Sequence, residues 1–303
     1  MWQIKQVQHI DLSALKDELR LQLEEVKPRI EKKVFHELFI VEKNDEIMGL
    51  SLSWLNSFHP EAKYVRVYTT SACTETNWPR ALYEQLIKDI YPQKQLIFSC
   101  WDEKKDAISF MEKQGFKLFR KTYMPDLEVR ALLQQMPTVP TFKQYESLND
   151  VLQNEEKKQA FLTQLKENYE NTHLHNPVQT YTWQQWGEIL LDDEPDLEYS
   201  YVVFEEAQVK AYILLHKLGN HYEVGWIGFQ GNTEDEWKLT ALFKTQMELL
   251  QREGIKKVSI EIDTTDTSAF SLFRFLDFEQ FPSWNSYSHK FDRGSVNDQS
   301  SDI

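Results

Sequence analysis

The chain has 303 residues, which exceeds one typical domain and favours two, because a domain usually holds roughly 100–200 residues. Its hydrophobic content of 41%, including 13% aromatic residues, is enough for packed cores and argues against a disordered chain. The formal charge of −14, without a long basic run, argues against nucleic acid as a partner. An acidic surface favours cationic partners such as amines, but it also serves solubility alone.

The N-terminal sequence and the cysteine content give no sign that the protein is exported. The N-terminus lacks the basic and then apolar order of a signal peptide, and no apolar run approaches the roughly 18 residues that span a bilayer. We therefore expect a cytoplasmic protein with no membrane partner. Cys73 and Cys100 form neither a disulfide framework nor a metal-site spacing, and their apolar, strand-like surroundings predict small core residues.

The first half of the chain alternates between strand and helix patterns. Alternating or β-branched segments predict strands, and apolar stripes at helical spacing predict helices. In chain order, the predicted elements are a strand at 2–6, a helical stretch at 12–23, a hairpin at 37–54, a strand at 64–70, a helix from 78, a strand at 95–100, a helix at 106–114 and a strand at 116–123. Asn77 is the expected N-cap of the helix from 78, and Gly115 is expected to end the next helix in the left-handed conformation.

The second half repeats this order after a break. Residues 131–142 contain two prolines and little periodicity, which predicts a domain boundary. Beyond it, the predicted elements are helices at 146–170 and 183–191, strands at 199–204, 209–216 and 221–229, a helix at 238–253, a strand at 257–262, a helix at 267–276 and a strand from 278. Thr182 and Gln185 fit a capping box at the start of the second of these helices.

These patterns divide the chain into three parts. We predict an N-terminal domain at 1–134, a C-terminal domain at 140–291 and a disordered tail at 292–303, because that tail is polar and rich in Ser and Asp.

One short segment indicates that the second domain is a repeat of the first. Residues 107–116 align without a gap on residues 269–278, with identical Ala, Ser and closing Phe residues. Gly115 corresponds to Asp277, a residue type that tolerates a left-handed helix cap. Agreement in both residue types and order of elements predicts an internal duplication.

The same segment resembles the GNAT acyltransferases. Their last strand–helix–strand unit runs from an apolar strand through Asn-x-x-Ala to Gly-Phe, and here the apolar strand 96–100 leads to Ala107 and Gly115, with Lys104 at the Asn position. The resemblance covers nearly all of residues 1–130. The second half resembles the C-terminal domain of tandem GNAT proteins such as mycothiol synthase. The family resemblance implies two tandem GNAT-like α/β domains, each a mixed, largely antiparallel sheet with helices on both faces.

The family resemblance also implies a cofactor, acetyl-CoA. In that family two parallel strands splay apart to hold the pantetheine, and the following loop binds the pyrophosphate through backbone amides at a helix N-terminus. The cofactor-binding positions that it implies are Val67, Thr69, Asn77 and Arg80 in the first half, and Ile227, Phe229 and Gly231 in the second.

Both loops depart from the family pattern. In the first half Thr74 stands at the arginine position, and Asn77 and Pro79 replace two glycines; Pro79 also lacks an N–H donor. In the second half three acids occupy 234–236, and Trp237 and Leu239 stand at the glycine positions. These acids would repel a pyrophosphate, or they simply favour a helix N-terminus, and the sequence leaves both interpretations open.

The catalytic groups are also incomplete. Family members often place a carboxylate on the strand corresponding to 221–229, which implies Glu223 as the base for the amine proton, unless its side chain is an ordinary solvated one. The positions of the family's tyrosine acid hold Met111 and Phe273, which cannot donate a proton.

Two other clusters of side chains stand out in the sequence. His173 and His175 have no third or fourth metal ligand at a suitable spacing, so we expect ordinary loop histidines and no metal. Trp183, Trp186 and Leu190 fall at helical spacing and either wall a cleft between domains or belong to a core.

Two functional classes stay open from the sequence. One is an N-acyltransferase that moves an acetyl group from acetyl-CoA to a small amine, with one domain keeping a modified cofactor site; the first is favoured for this, because its loop carries fewer acids. The other is a non-catalytic GNAT-like protein that binds a ligand or partner.

Overall fold

The structure, a computed structural model, describes residues 2–71, 77–88, 90, 92–140, 144–231 and 236–291. Its strands are β1 (Trp2–Gln6), β2 (Glu37–Lys43), β3 (Glu46–Leu55), β4 (Ala62–Thr69), β5 (Gln95–Trp101), β6 (Lys117–Tyr123), β7 (Asp126–Glu128), β8 (Glu146–Ser147), β9 (Tyr201–Glu205), β10 (Gln208–Leu218), β11 (His221–Phe229), β12 (Lys257–Ile260), β13 (Ile262–Asp263) and β14 (Ser283–Lys290). Its α-helices are α1 (Asp17–Gln22), α2 (Lys27–Glu31), α3 (Trp78–Ile87), α4 (Lys105–Lys113), α5 (Val129–Gln135), α6 (Leu148–Gln153), α7 (Glu155–Thr172), α8 (Trp183–Asp192), α9 (Trp237–Arg252) and α10 (Thr267–Phe273).

The strands form two mixed sheets. The first has the order β1-β2-β3-β4-β5-β14-β6-β13, and the second has the order β7-β12-β11-β10-β9-β8. Only the pairs β4–β5 and β11–β12 are parallel among the described ladders. The predicted mixed, largely antiparallel sheets are therefore confirmed.

The sheets exchange strands across the predicted domain boundary. β14, near the end of the described chain, lies between β5 and β6 of the first sheet. In the other direction, β7 pairs with β12 in the second sheet. The division of the chain into domains at residues 134–140 stays a prediction. The division between the two sheets does not coincide with it, because each sheet contains strands from both sides of this boundary. The boundary segment also begins as helix, because α5 extends to Gln135.

Both sheets carry helices on both faces, as the sequence predicts. On the first sheet, α3 and α4 bury Leu82 and Met111 on one face, while α1 and α2 bury Leu19 and Ile30 on the other. On the second sheet, α5, α9 and α10 share one apolar core, and α6, α7 and α8 pack on the opposite face around Trp186. Trp186 is therefore a core residue.

Several local predictions are confirmed. The turn between β2 and β3 holds Asn44 and Asp45 at φ of 53° and 64°, which suits a tight hairpin turn. Gly115 ends α4 at φ 90°, where a side chain would be strained. The capping box at Thr182 is present, and Cys100 is a buried core residue.

Three local predictions were wrong. The stretch 12–23 is not one helix, because the backbone becomes extended at Leu15 and Lys16 before α1 begins. Asn77 makes no side-chain cap bond, since its φ and ψ of −85° and 18° are not the extended conformation of a cap. Asp277 has φ −81°, so the repeat loses the left-handed cap of Gly115 and continues into a 3-10 turn before β14.

Some predictions fall on residues outside those described. These are the disordered tail at 292–303, the core position of Cys73, and the loop positions Thr74, Glu234 and Asp235.

Candidate functional site

The two parallel strands of the second sheet separate partway along their length. β11 pairs with β12 at residues 222–224 and 258–260. Beyond Val224, β11 continues beside β10, while the chain after β12 turns towards β6 and forms β13. Within the described residues, the edge of β11 that faces β12 has no ladder partner beyond Val224. Gly225, Trp226 and Ile227 of this stretch line a cavity.

A β-bulge marks the point of separation. The register of β10 and β11 shifts between Ile213 and Leu215, so Gly225 and Trp226 together oppose one residue of β10. A Cβ at position 225 would lie 2.3 Å from the His216 ring, which explains the glycine. Bulges are over-represented beside active sites, where they re-aim the chain. The matching ladder of β3 and β4 runs without a shift.

A cavity of about 520 Å³ opens at this bulge. Five carboxylates line it, those of Asp193, Glu223, Glu261, Asp263 and Asp266, and we call it the acidic cavity. Aromatic rings form much of the remaining wall, namely Tyr169, Tyr212 and Trp226. The volume lies in the range of small-molecule sites.

The pKa values of two of these carboxyls, Glu261 and Asp266, are raised. Burial raises the pKa of the Glu261 carboxyl, and the charges of Asp263, Glu223 and Asp266 raise it further, against the effect of Arg120. Glu261 keeps exposed surface because it faces the open cavity. Burial also raises the pKa of Asp266 to about 6, although two backbone N–H groups at the start of α10 bond to it. The acidic cavity thus contains more carboxylates than the cationic side chains in its lining can neutralise.

Arg120 and His173 form the side of the cavity that adjoins the first sheet. Arg120, on β6, places Nε 3.3 Å from Asp263 Oδ2. His173 stacks on Tyr169 with ring centroids 4.0 Å apart. Burial lowers the pKa of His173 to about 4, so its ring is neutral near pH 7 beside the Arg120 guanidinium. His173 lies in the turn after α7, as expected of a loop histidine, and this turn also brings its ring into the cavity wall.

A second polar group lies opposite, at the bulge. His216 on β10 is the cross-strand neighbour of Glu223, and its Nε2 lies 2.9 Å from Asp193 Oδ2. The same carboxylate accepts the indole N–H of Trp226 at 2.7 Å. Partial burial raises the pKa of Asp193, but the contacts with His216 and Trp226 outweigh it and leave the pKa below its usual value. Asp193 therefore stays ionised and orients His216 beside Glu223.

Two residues implied by the family resemblance line the acidic cavity. Glu223 and Ile227 both lie on β11, one on each side of the bulge. Phe229 packs against the core shared with α9, and Gly231 lies exposed beyond the strand. Their roles in cofactor binding stay predictions, since residues 232–235 lie outside the described chain.

The four first-half candidates lie elsewhere, and their cofactor roles also stay predictions. Val67, Thr69, Asn77 and Arg80 are not among the residues that line the acidic cavity. Val67 packs against the core under α3. Arg80 places Nε 2.9 Å from Glu84 on the exposed surface of α3, so its charge is already partly matched.

The first half contains a matching strand separation, but its own side chains occupy that side of the sheet. β4 and β5 also pair only over their first residues. There the Arg66 guanidinium lies 5.1, 5.6 and 5.8 Å from the ring centroids of Trp54, Phe98 and Trp284. Its Nε bonds to Glu25 at 2.8 Å. Arg66 is 5% exposed, so the protein itself fills this position.

Sequence reasoning missed Glu261, Asp263, Asp266 and Arg120. The three acids follow the buried strand β12 within six residues, and that acidic run at a strand end was a usable signal. Arg120 comes from the other half of the chain and had no local signal.

Two further properties bear on the site. Among the described residues, no group of three or more His, Cys, Asp or Glu side chains converges closely enough for a metal ion. None of the described helices has the length and apolar character needed to cross a membrane.

Comparison with known proteins establishes the fold. No family sequence model and no curated protein sequence matches the chain. In structure, the chain is similar over 95% of its length to 95% of a GCN5-related N-acetyltransferase from Sphaerobacter thermophilus, with a TM-score of 0.61 and 13% identity. It is similar over 96% of its length to 98% of a tandem GNAT protein from the clavulanic acid biosynthesis pathway, with a TM-score of 0.53 and 11% identity.

A third similarity is to a fungal protein. The chain matches, over 95% of its length, 38% of a multi-domain β-N-acetylglucosaminidase that contains a GCN5-related glucosamine N-acetyltransferase region, with a TM-score of 0.59 and 8% identity. At such low identities these similarities concern the fold alone. The chain has the tandem GNAT fold, as its sequence predicts.

Proposed function

We propose that the chain is an N-acyltransferase that moves an acetyl group from acetyl-CoA to a small amine, with its reaction centre in the second half. The observation that carries the proposal is the separation of β11 from β12 at a bulge that opens into the acidic cavity. The free edge of β11 offers backbone groups to the pantetheine, and the cavity beyond it accepts an amine. The first half, with Arg66 in the matching place, serves as support.

The reaction needs little from the protein beyond position and a base. The neutral amine nitrogen attacks the thioester carbonyl, a C–N bond forms, the C–S bond breaks, and sulfur takes the electron pair. The amine proton passes to a carboxylate, directly or through water. Holding the two substrates together supplies much of the rate.

Glu223 is the base in this proposal. It lies on β11 two residues before the bulge and next to His216, which Asp193 orients. Phe273, at the family's tyrosine position, is fully buried in the core and provides no proton. A thiol has a pKa near about 8.5, so the thiolate leaves without a protein acid and takes its proton from solvent. Because acetyl-CoA is its donor, we place the protein in the cytoplasm.

Titration calorimetry with acetyl-CoA on the full chain is the first test, followed by a thiol-release assay with amines. Glu223→Gln is expected to lower kcat at least about a hundredfold and to leave acetyl-CoA affinity unchanged. Glu248→Gln, on the exposed face of α9, is the matched control and should retain activity. The proposal fails if millimolar acetyl-CoA gives no heat and no thermal shift, or if Glu223→Gln stays fully active.

The alternative is a GNAT-like protein that binds a ligand without catalysis. The burial of Phe273 where the family has its acid favours this second candidate. It predicts that amines bind in the acidic cavity while thiol release stays at the uncatalysed rate.

A further inference from the structure

The charges of the acidic cavity do not balance. Arg120 is the one permanently charged cation among the described residues of its lining, and it lies beside Asp263. His216 lies beside Asp193. Among the described residues, no Lys, Arg or His side chain forms an ion pair with Glu223, Glu261 or Asp266. Three carboxylates of the cavity lining therefore have no cationic partner in the part of the chain that the structure describes.

These three carboxylates come from separate elements. Glu223 lies on β11, Glu261 between β12 and β13, and Asp266 at the start of α10. They do not converge on one point closely enough for a metal ion. An organic ligand with positive charges set apart along its length suits such an arrangement better than a single ion.

Part of the same cavity lining is aromatic. Tyr169 and Trp226 line the cavity with ring centroids 5.5 Å apart. Aromatic faces attract ammonium groups and also pack against short methylene chains. The lining therefore combines aromatic surface with anionic groups.

We propose that the acceptor is an aliphatic amine with at least two amino groups, one acylated beside Glu223 while another stays protonated against Glu261 and Asp266. The inference rests on the proposed function for its reaction, but binding of the diamine does not depend on it. A second ammonium gains from carboxylates that a monoamine of equal length leaves unmatched. The Asp263–Arg120 pair closes the far side of the cavity without adding net charge.

The probes are 1,4-diaminobutane and n-butylamine, titrated by calorimetry into the full chain with and without coenzyme A. We expect the diamine to bind at least about tenfold more tightly, because hydrogen bonds between charged groups are stronger than those between neutral ones. Glu261→Gln should remove about tenfold of the diamine affinity and leave that of n-butylamine nearly unchanged. Glu156→Gln, exposed on α7, is the control and should change neither affinity.

Equal affinity for the two probes, or undiminished diamine affinity in Glu261→Gln, overturns the inference. Thiol release from acetyl-CoA separates it from the proposed function. If the diamine binds selectively but no thiol is released, the acyltransferase fails and the diamine site stands. If n-butylamine supports thiol release as well as the diamine does, the acyltransferase stands and the diamine preference fails.

Discussion

Asp266 both caps helix α10 and lines the acidic cavity. Its carboxylate accepts backbone N–H bonds from Ser268 and Ala269 at 2.9 and 3.0 Å, yet burial raises its pKa from 3.8 to about 6. Because the folded chain binds this proton more tightly than the unfolded chain, the contribution of Asp266 to stability is present at acid pH. It declines as the pH rises from 3.8 to about 6.

Asp266→Asn tests this at the level of one side chain. Asparagine keeps an oxygen for the helix cap and cannot ionise. We expect the variant to be more stable than the parent by about 1–2 kcal/mol at pH 7.5, and nearly equal at pH 4, in urea unfolding. A gain of the same size at both pH values would contradict an ionisation effect. Asp266→Ala, which removes the cap as well, should not show the gain.

Single residues of the site were predicted only where the family pattern placed them. Glu223 and Ile227 were identified because the resemblance assigns roles to that strand, and both line the cavity. Glu261 and Asp266 were missed because their approach to Glu223 depends on how the chain turns after β12. Such a turn depends on tertiary contacts, which periodicity does not report.

At the level of elements, a connection of the first half supports the wall of the cavity. Between β3 and β4, Phe58 stacks on Tyr181 with ring centroids 5.4 Å apart and meets Trp186 at 5.8 Å. Its neighbour His59 places Nε2 3.1 Å from the hydroxyl of Tyr169, which lines the acidic cavity. Helices α7 and α8 are thus held by a loop that belongs to the other sheet.

Phe58→Ala should therefore weaken the contact between the halves. Loss of a partly buried aromatic ring is expected to lower the free energy of unfolding by about 1–3 kcal/mol in urea denaturation. Leu55→Ala, at the end of β3 just before this connection and 44% exposed, is the control and should change it by less than about 0.5 kcal/mol. Equal losses in the two variants would mean that Phe58 packs no better than an exposed residue.

The positions of strands and helices were largely predictable, but the partners of the strands were not. Alternating or continuous apolar runs located β2, β3 and β11, because much of each strand is buried. The same pattern predicted a strand near the chain end but placed it in the second domain, whereas β14 lies between β5 and β6. Alternation shows that a strand has a buried face, and it carries no information about which sheet supplies the neighbours.

Across the whole molecule, the exchange of strands makes each half incomplete alone. β14 contributes the partner of both β5 and β6, with Tyr287 buried in the first core. In return β6 carries Arg120 into the acidic cavity of the second half. The cavity is therefore built by both halves, and a fragment of residues 1–134 would lack the centre of its own sheet.

A chain that ends at residue 281 tests this dependence. Without β14, the strands β5 and β6 lose their shared partner and the first sheet divides, so we expect loss of near-UV circular dichroism and of a cooperative thermal transition. A chain that ends at Phe291 keeps every strand of both sheets, and its Tm should match that of the full chain. If the shorter chain also melts cooperatively at the parent's Tm, then β14 is a peripheral addition and each half folds on its own contacts.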